Sequence, residues 1–195
     1  MAKLVFYYGS MNSSKTAQLI MTAFNFEQQG KKFHIIKSSE DTRDTKVKSR
    51  ALNTEMDCTP ISHFIEILQL VQTHEIDWLF VDEVQFMTED MIEALALIVD
   101  QFDINVICYG LVTDFQGKLF DGSKKLIEEG ASLREIKNQC LYCESKATHN
   151  MRLLDSKPVF EGEVIQPGGN ESYVSVCRSC FRKSKNESER EKRVM

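Results

Sequence analysis

From Leu4 to Gly110 the chain alternates short apolar runs with helix-like stretches, and this alternation points to a parallel α/β sheet. Leu4 to Tyr8 is β-branched and aromatic and reads as a buried strand. Gly9 to Ser14 is small and polar, a turn. Lys15 to Gln29 then reads as a helix, with Ala17, Ile20, Met21 and Phe24 near one face and Gly30 as its stop. Phe33 to Ile36 is a second strand and Ser62 to Thr73 a second helix. Trp78 to Val81 is a strand ending at Asp82-Glu83, Glu89 to Phe102 a helix, and Ile104 to Tyr109 a strand ended by Gly110. Ser38 to Thr59 is polar, charged and aperiodic, so a long mobile loop is expected there. Ligands of such sheets sit at the carboxyl ends of strands, so the loops after Tyr8, Val81 and Tyr109 are where a site is expected.

The first of these loops carries chemistry. Gly9-Ser10-Met11-Asn12-Ser13-Ser14-Lys15-Thr16 leaves a strand and opens a helix. Gly9, Lys15 and Thr16 match the phosphate-loop pattern G-x-x-x-x-G-K-[ST], and Ser14 stands where the second glycine is expected. Backbone N–H groups at a helix start hold phosphate oxygens, Lys15 adds a positive charge, and Thr16 offers a hydroxyl to Mg²⁺. Taken alone, the segment also reads as a polar turn with a capping serine and a solvated lysine.

The second loop supports the first reading. A strand ending in Asp82-Glu83 fits a carboxylate that holds Mg²⁺, followed by one placed to act as general base. An acidic pair that caps the next helix is the alternative, but Thr88 already supplies a good cap for that helix.

The character changes near Asn138. Cys140-Leu141-Tyr142-Cys143 and Cys177-Arg178-Ser179-Cys180 form two C-x-x-C knuckles around a long insertion rich in Gly, Ser and Asn. Four thiolates so paired suit structural Zn²⁺, while Cys58 and Cys108 read as structural residues. The apolar run at the N-terminus is too short for a signal peptide or membrane span, so a cytoplasmic protein with reduced thiols is expected. Gly168-Gly169-Asn170-Glu171 leads to Tyr173, a turn whose backbone and tyrosine suit a flat ring. The expected units are a nucleotide-binding domain over residues 1–137, a zinc-binding lid over 138–185, and a charged tail over 186–195; the tail from Lys183 to Arg193 is expected to fray.

Several separated motifs, in order, resemble the type II thymidine kinase family, its bacterial and viral branch most closely. They are Phe6-Tyr7-Tyr8 before the phosphate loop, Asp41-Thr42-Arg43, Val81-Asp82-Glu83-Val84-Gln85-Phe86, Cys108-Tyr109-Gly110-Leu111-Val112-Thr113-Asp114-Phe115, and Gly168-Gly169-Asn170-Glu171 with Tyr173 before the second knuckle. The resemblance implies a phosphate-loop α/β core with a small C-terminal zinc-anchored lasso. It implies transfer of the γ-phosphoryl of ATP to the 5′-hydroxyl of thymidine or deoxyuridine, giving dTMP in salvage. Glu83 is then the base. Gly9, Ser10, Met11, Asn12, Ser13, Ser14, Lys15 and Thr16, with Asp41, Arg43, Asp82 and Gln85, belong to the ATP and Mg²⁺ side. Met11, Phe86, Leu111, Phe115, Asn150 and Tyr173 surround the nucleoside, and Cys140, Cys143, Cys177 and Cys180 hold the zinc. A homotetramer and inhibition by dTTP are also implied.

Three other classes are weighed against this one. A degenerate, non-catalytic nucleotide sensor is motivated by Ser14. A zinc-knuckle nucleic-acid binder is motivated by Arg178, Arg182, Lys183 and Lys185. It is opposed by Glu187, Glu189 and Glu191 and by 24 Lys and Arg against 29 Asp and Glu, a net −5, since nucleic-acid affinity rests on cations. A motor ATPase would need an arginine finger or coupling motif, and none is legible.

Overall fold

A computed structural model describes residues 1–40, 45–164 and 171–194. Six parallel strands form the central sheet: β1 (Leu4–Tyr8), β2 (Phe33–Ser38), β5 (Thr59–Ile61), β6 (Trp78–Asp82), β7 (Asn105–Gly110) and β8 (Ser132–Glu135). Their order across the sheet is β5-β2-β6-β7-β1-β8. Every neighbouring pair is parallel, as the alternation predicts. Helices α1 (Lys15–Gln28), α2 (Phe64–Thr73), α3 (Glu89–Phe102) and α4 (Asp121–Glu128) connect these strands.

Side chains alternate between the two faces of the sheet, so each strand feeds two cores. Phe6, Leu79, Val81, Val106 and Cys108 meet α2 and α3 through Ile67, Leu70, Met91, Ile92 and Leu95. Ile35, Phe80, Ile107 and Tyr109 meet α1 through Leu19, Ile20 and Ala23. Burial holds the Cys108 thiol well above its ordinary range, which fits its reading as an inert structural residue.

Three expectations are corrected. The face of α1 that packs on the sheet is Ala17, Leu19, Ile20 and Ala23, while Met21 and Phe24 are 56% and 55% exposed. The two alanines let the helix lie close to the sheet, and that contact turns Met21 and Phe24 outward. The stretch 38–59 is not one long loop. It holds an antiparallel hairpin of β3 (Lys46–Ser49) and β4 (Thr54–Asp57), with Asn53 taking the left-handed backbone (φ 48°) that lets the chain reverse, and then β5. The Lys46 ammonium pairs with Glu55 across the hairpin.

The third correction is the charged tail, which is helix. Helix α5 runs Arg178–Val194. Phe181 anchors its first turns, stacked on His149 at 4.6 Å and edge-on to Phe160 at 5.3 Å. Beyond that anchor the sequence has no Gly or Pro, and it sets Lys183 four residues before Glu187 and Lys185 four before Glu189. With β9 (His149–Leu154), β10 (Lys157–Val159) and β11 (Glu171–Val176), this helix surrounds a separate apolar cluster of Cys140, Met151, Val176, Cys177 and Phe181. The strand order there is β10-β9-β11, antiparallel throughout. Among the described residues no helix is long and apolar enough to cross a membrane.

Candidate active site

The register of the parallel strands brings three loops to one edge. Tyr8 pairs with Gly110 and Val81 with Cys108, so the segments leaving β1, β6 and β7 emerge side by side. Gly9 is required by crowding, since a Cβ there would lie 2.5 Å from Ser13 Oγ and 2.6 Å from the Ile136 carbonyl. Beyond it the loop bends through two left-handed residues, Asn12 (φ 58°) and Ser14 (φ 64°). Ser14 therefore keeps the backbone shape that the usual glycine would adopt without a Cβ clash.

A Ser14→Gly variant removes that clash at the cost of a looser unfolded chain, a net gain of about 0.5–1 kcal/mol. The expected result is a melting temperature raised by ~2–3 °C with kcat retained. A lower melting temperature would show that the serine itself stabilises the loop.

Lys15 is buried, and its ammonium donates to the Ser10 carbonyl at 2.8 Å. Burial lowers its pKa, while Glu83 and Asp82 act to raise it. The Thr16 hydroxyl donates to Asp82 Oδ2 at 3.1 Å, and the Glu83 N–H donates to Asp82 Oδ1 at the same distance. Burial first, and then the charge of Glu83, push the Asp82 carboxyl up to about 7; Thr16 and Lys15 act against them. A buried carboxylate beside a half-buried one, with one ammonium between loop and strand, forms a site suited to a cation.

Glu83 sits at φ 49°, ψ 41°, a left-handed backbone that a non-glycine adopts at a cost of order 1–2 kcal/mol. Gln85 holds its side chain. Gln85 Nε2 donates to Glu83 Oε2 at 2.5 Å, and Gln85 Oε1 accepts from the Leu111 N–H at 3.0 Å. Gly110 makes room for this bridge, because a Cβ there would fall 2.5 Å from Gln85 Oε1. The residue assigned to the ATP side by resemblance thus ties the carboxylate to the loop after β7.

These groups open into a cleft of about 910 Å³. Met11, Asn12, Ser14, Lys15 and Thr16 line it from the phosphate loop, Glu83, Gln85 and Phe86 from the end of β6, Leu111 from the end of β7, and Tyr173 from β11. Gly9, Ser10, Ser13 and Asp82 support it without lining it. Phe115 is buried with the Arg152 guanidinium 3.9 Å above its ring. Asn150 is also buried, and its amide bonds to protein backbone at both ends. Asp41 and Arg43 lie outside the described residues, as do Gly168, Gly169 and Asn170.

Sequence reasoning missed one wall of the cleft. Lys48, Ser49, Arg50 and Ala51 line it from the β3–β4 hairpin, and Arg50 donates to Asn12 Oδ1 at 3.1 Å. The signal was present in the alternation of outward Lys48 and Arg50 with buried Val47 and Ser49.

The four knuckle cysteines converge. Their sulfurs all lie within 4.8 Å of one another, with Cys143 Sγ 3.7 Å from Cys177 Sγ and 3.9 Å from Cys180 Sγ. A tetrahedral Zn²⁺ with metal–sulfur bonds of ~2.3 Å needs sulfur–sulfur edges of about 3.8 Å, so the donor set fits that ion.

A family model described as "Thymidine kinase" matches residues 2–181. The thymidine kinases of Streptococcus agalactiae serotype Ia and Streptococcus pyogenes serotype M3 are each 41% identical over 184 residues. Each alignment covers 93% of this chain and 97% of the relative.

Proposed function

The chain belongs to the thymidine kinase family and is an enzyme that phosphorylates thymidine, and we propose that it does so with Glu83 as the base. The observation that carries the reading is the placement of the Glu83 carboxylate in the same cleft as Lys15 and Thr16 of the phosphate loop. The 5′-oxygen of the nucleoside attacks the γ-phosphorus of ATP, its proton passes to Glu83, and the bond to ADP breaks. Lys15 and the loop amides neutralise charge on the transferred group. Thr16 and Asp82 hold Mg²⁺, which supplies charge neutralisation at the phosphates.

Met11, Phe86, Leu111 and Tyr173 line the same cleft and form an apolar slot suited to a pyrimidine, and the resemblance assigns Phe115, under the Arg152 guanidinium, to the same slot. The knuckle cysteines hold a structural Zn²⁺ that anchors the lid over residues 138–185 on the nucleotide-binding domain over 1–137. The resemblance also assigns Asp41 and Arg43 to the phosphates. Thymidine and deoxyuridine share the slot, dTTP inhibits by occupying it, and the enzyme works in the cytoplasm, where thiols stay reduced for the metal. The apolar, exposed Met21 and Phe24 on α1 support assembly into a homotetramer.

One assay tests the whole reading. Purified protein is given ATP, Mg²⁺ and each deoxynucleoside in turn, with and without dTTP, and its mass is measured by sedimentation. The expected result is 5′-monophosphate formed from thymidine and deoxyuridine, suppressed by dTTP, from a tetramer. Nucleotide binding without turnover would favour a non-catalytic sensor.

A further inference from the structure

One residue of the phosphate loop, Met11, is gripped through its backbone by three side chains that lie far away in sequence. The Met11 N–H donates to Asn150 Oδ1 at 2.7 Å. The Met11 carbonyl accepts from Ser175 Oγ at 2.5 Å and from Asn138 Nδ2 at 3.3 Å. Asn138 Nδ2 also reaches Ser10 Oγ at 3.4 Å, and Asn150 Nδ2 donates to the Thr113 carbonyl at 3.2 Å. Asn150 and Ser175 face each other across β9 and β11, and both are buried. The strand pair that lies between the two knuckles and carries Tyr173 therefore ends in a clasp on the loop.

The grip falls where the loop most needs it. Met11 directly precedes Asn12, the first of two left-handed residues, and an unsupported loop would relax toward less strained conformations. Burial strengthens each bond and makes its loss costly. Both polar ends of the Asn150 amide are already engaged with backbone, an arrangement that suits a strut better than a ligand for a base.

We propose that Asn150 and Ser175 are positioning residues for the phosphate loop. They hold Met11 so that Asn12 to Thr16 present a preformed phosphate cradle, and they act on ATP through the loop. The inference rests on the phosphate-loop reading above. It goes beyond that reading in giving the C-terminal strands a role in binding ATP.

The test is calorimetric binding of the non-hydrolysable analogue AMP-PNP with Mg²⁺, alongside thymidine KM, for Asn150→Ala, Ser175→Ala and Ser175→Thr. Loss of one buried hydrogen bond is expected to weaken AMP-PNP binding about tenfold in both alanine variants. Because Met11 also lines the nucleoside slot, thymidine KM is expected to rise, but by less than the AMP-PNP affinity falls, and Ser175→Thr, which keeps the hydroxyl, is expected to restore most of that affinity. Circular dichroism confirms that each variant is folded, and should Asn150→Ala fail to fold, Ser175→Ala and the half-buried Asn138→Ala decide. Unchanged AMP-PNP affinity in the folded variants overturns the proposal. A raised thymidine KM with AMP-PNP affinity intact also overturns it, because Asn150 would then touch the base. Wild-type protein that binds no AMP-PNP would sink the phosphate-loop reading itself, a different outcome from equal binding by wild type and variants.

Discussion

Glu83→Gln is expected to lower kcat for thymidine phosphorylation by about 10³-fold, with KM for both substrates changed only a few-fold. The substitution keeps the side chain's length and shape. It also keeps the link to Gln85, since a glutamine at this position can turn its amide oxygen toward Gln85 Nε2, where the carboxylate now accepts at 2.5 Å. What disappears is the capacity to take the 5′-hydroxyl proton as the oxygen attacks phosphorus. A positioned base of this kind supplies ~10²–10⁴-fold, and the left-handed backbone at Glu83 is what places it. Truncating its holder is a milder perturbation. Gln85→Ala removes one hold on the carboxylate without removing the carboxylate itself, and a loss of about tenfold in kcat follows from looser positioning. Single-turnover kinetics separates these effects from product release. Full kcat in Glu83→Gln would remove Glu83 from the chemistry.

The parts of this site that a sequence can show are the ones that are contiguous. Gly9 to Thr16, Asp82-Glu83 and the two C-x-x-C knuckles each place their chemistry within a few residues of chain, and the strand–loop–helix pattern around them gives the edge of the sheet on which they meet. The connections between them lie too far apart in sequence to be read as motifs. Gln85 reaches Leu111, Arg50 reaches Asn12, and Asn150 reaches Met11 only because β6, β7, the hairpin and β9 converge in space. The hairpin itself was hidden by its polarity. Its inward positions are few, Val47 and Ser49 on one strand, so the period of two is short and flanked by charge. The tail misled for the opposite reason. Absence of apolar period suggested fraying, yet a helix needs only one anchored turn, here at Phe181, and good helix formers after it. Ser14 is instructive as well. The missing glycine breaks the motif as a pattern, but the left-handed backbone the motif requires is retained at φ 64°.

Stripping the metal is expected to reduce thymidine turnover to below ~1% while most of the helical signal survives. The reason lies in how unequal the three apolar clusters are. The two clusters flanking the parallel sheet draw on six strands and four helices and need no metal. Among the described residues the third has five buried apolar side chains, and two of them, Cys140 and Cys177, are themselves knuckle cysteines. So small a core does not repay the entropy of ordering its strands. Zinc binding to such sites supplies apparent free energies of about 10–16 kcal/mol, comparable with the whole stability of a domain. Removal should therefore melt β9 to β11, withdraw Tyr173 from the cleft, and leave α1 to α4 on their sheet. The clasp on Met11 goes with those strands, so AMP-PNP binding should weaken in the same sample. Cys143→Ser should reproduce the effect without chelator, since one lost thiolate breaks the tetrahedral set. Elemental analysis before and after treatment gives the expected one zinc per chain and then none. Metal-free protein with undiminished turnover would show that the lid folds without it.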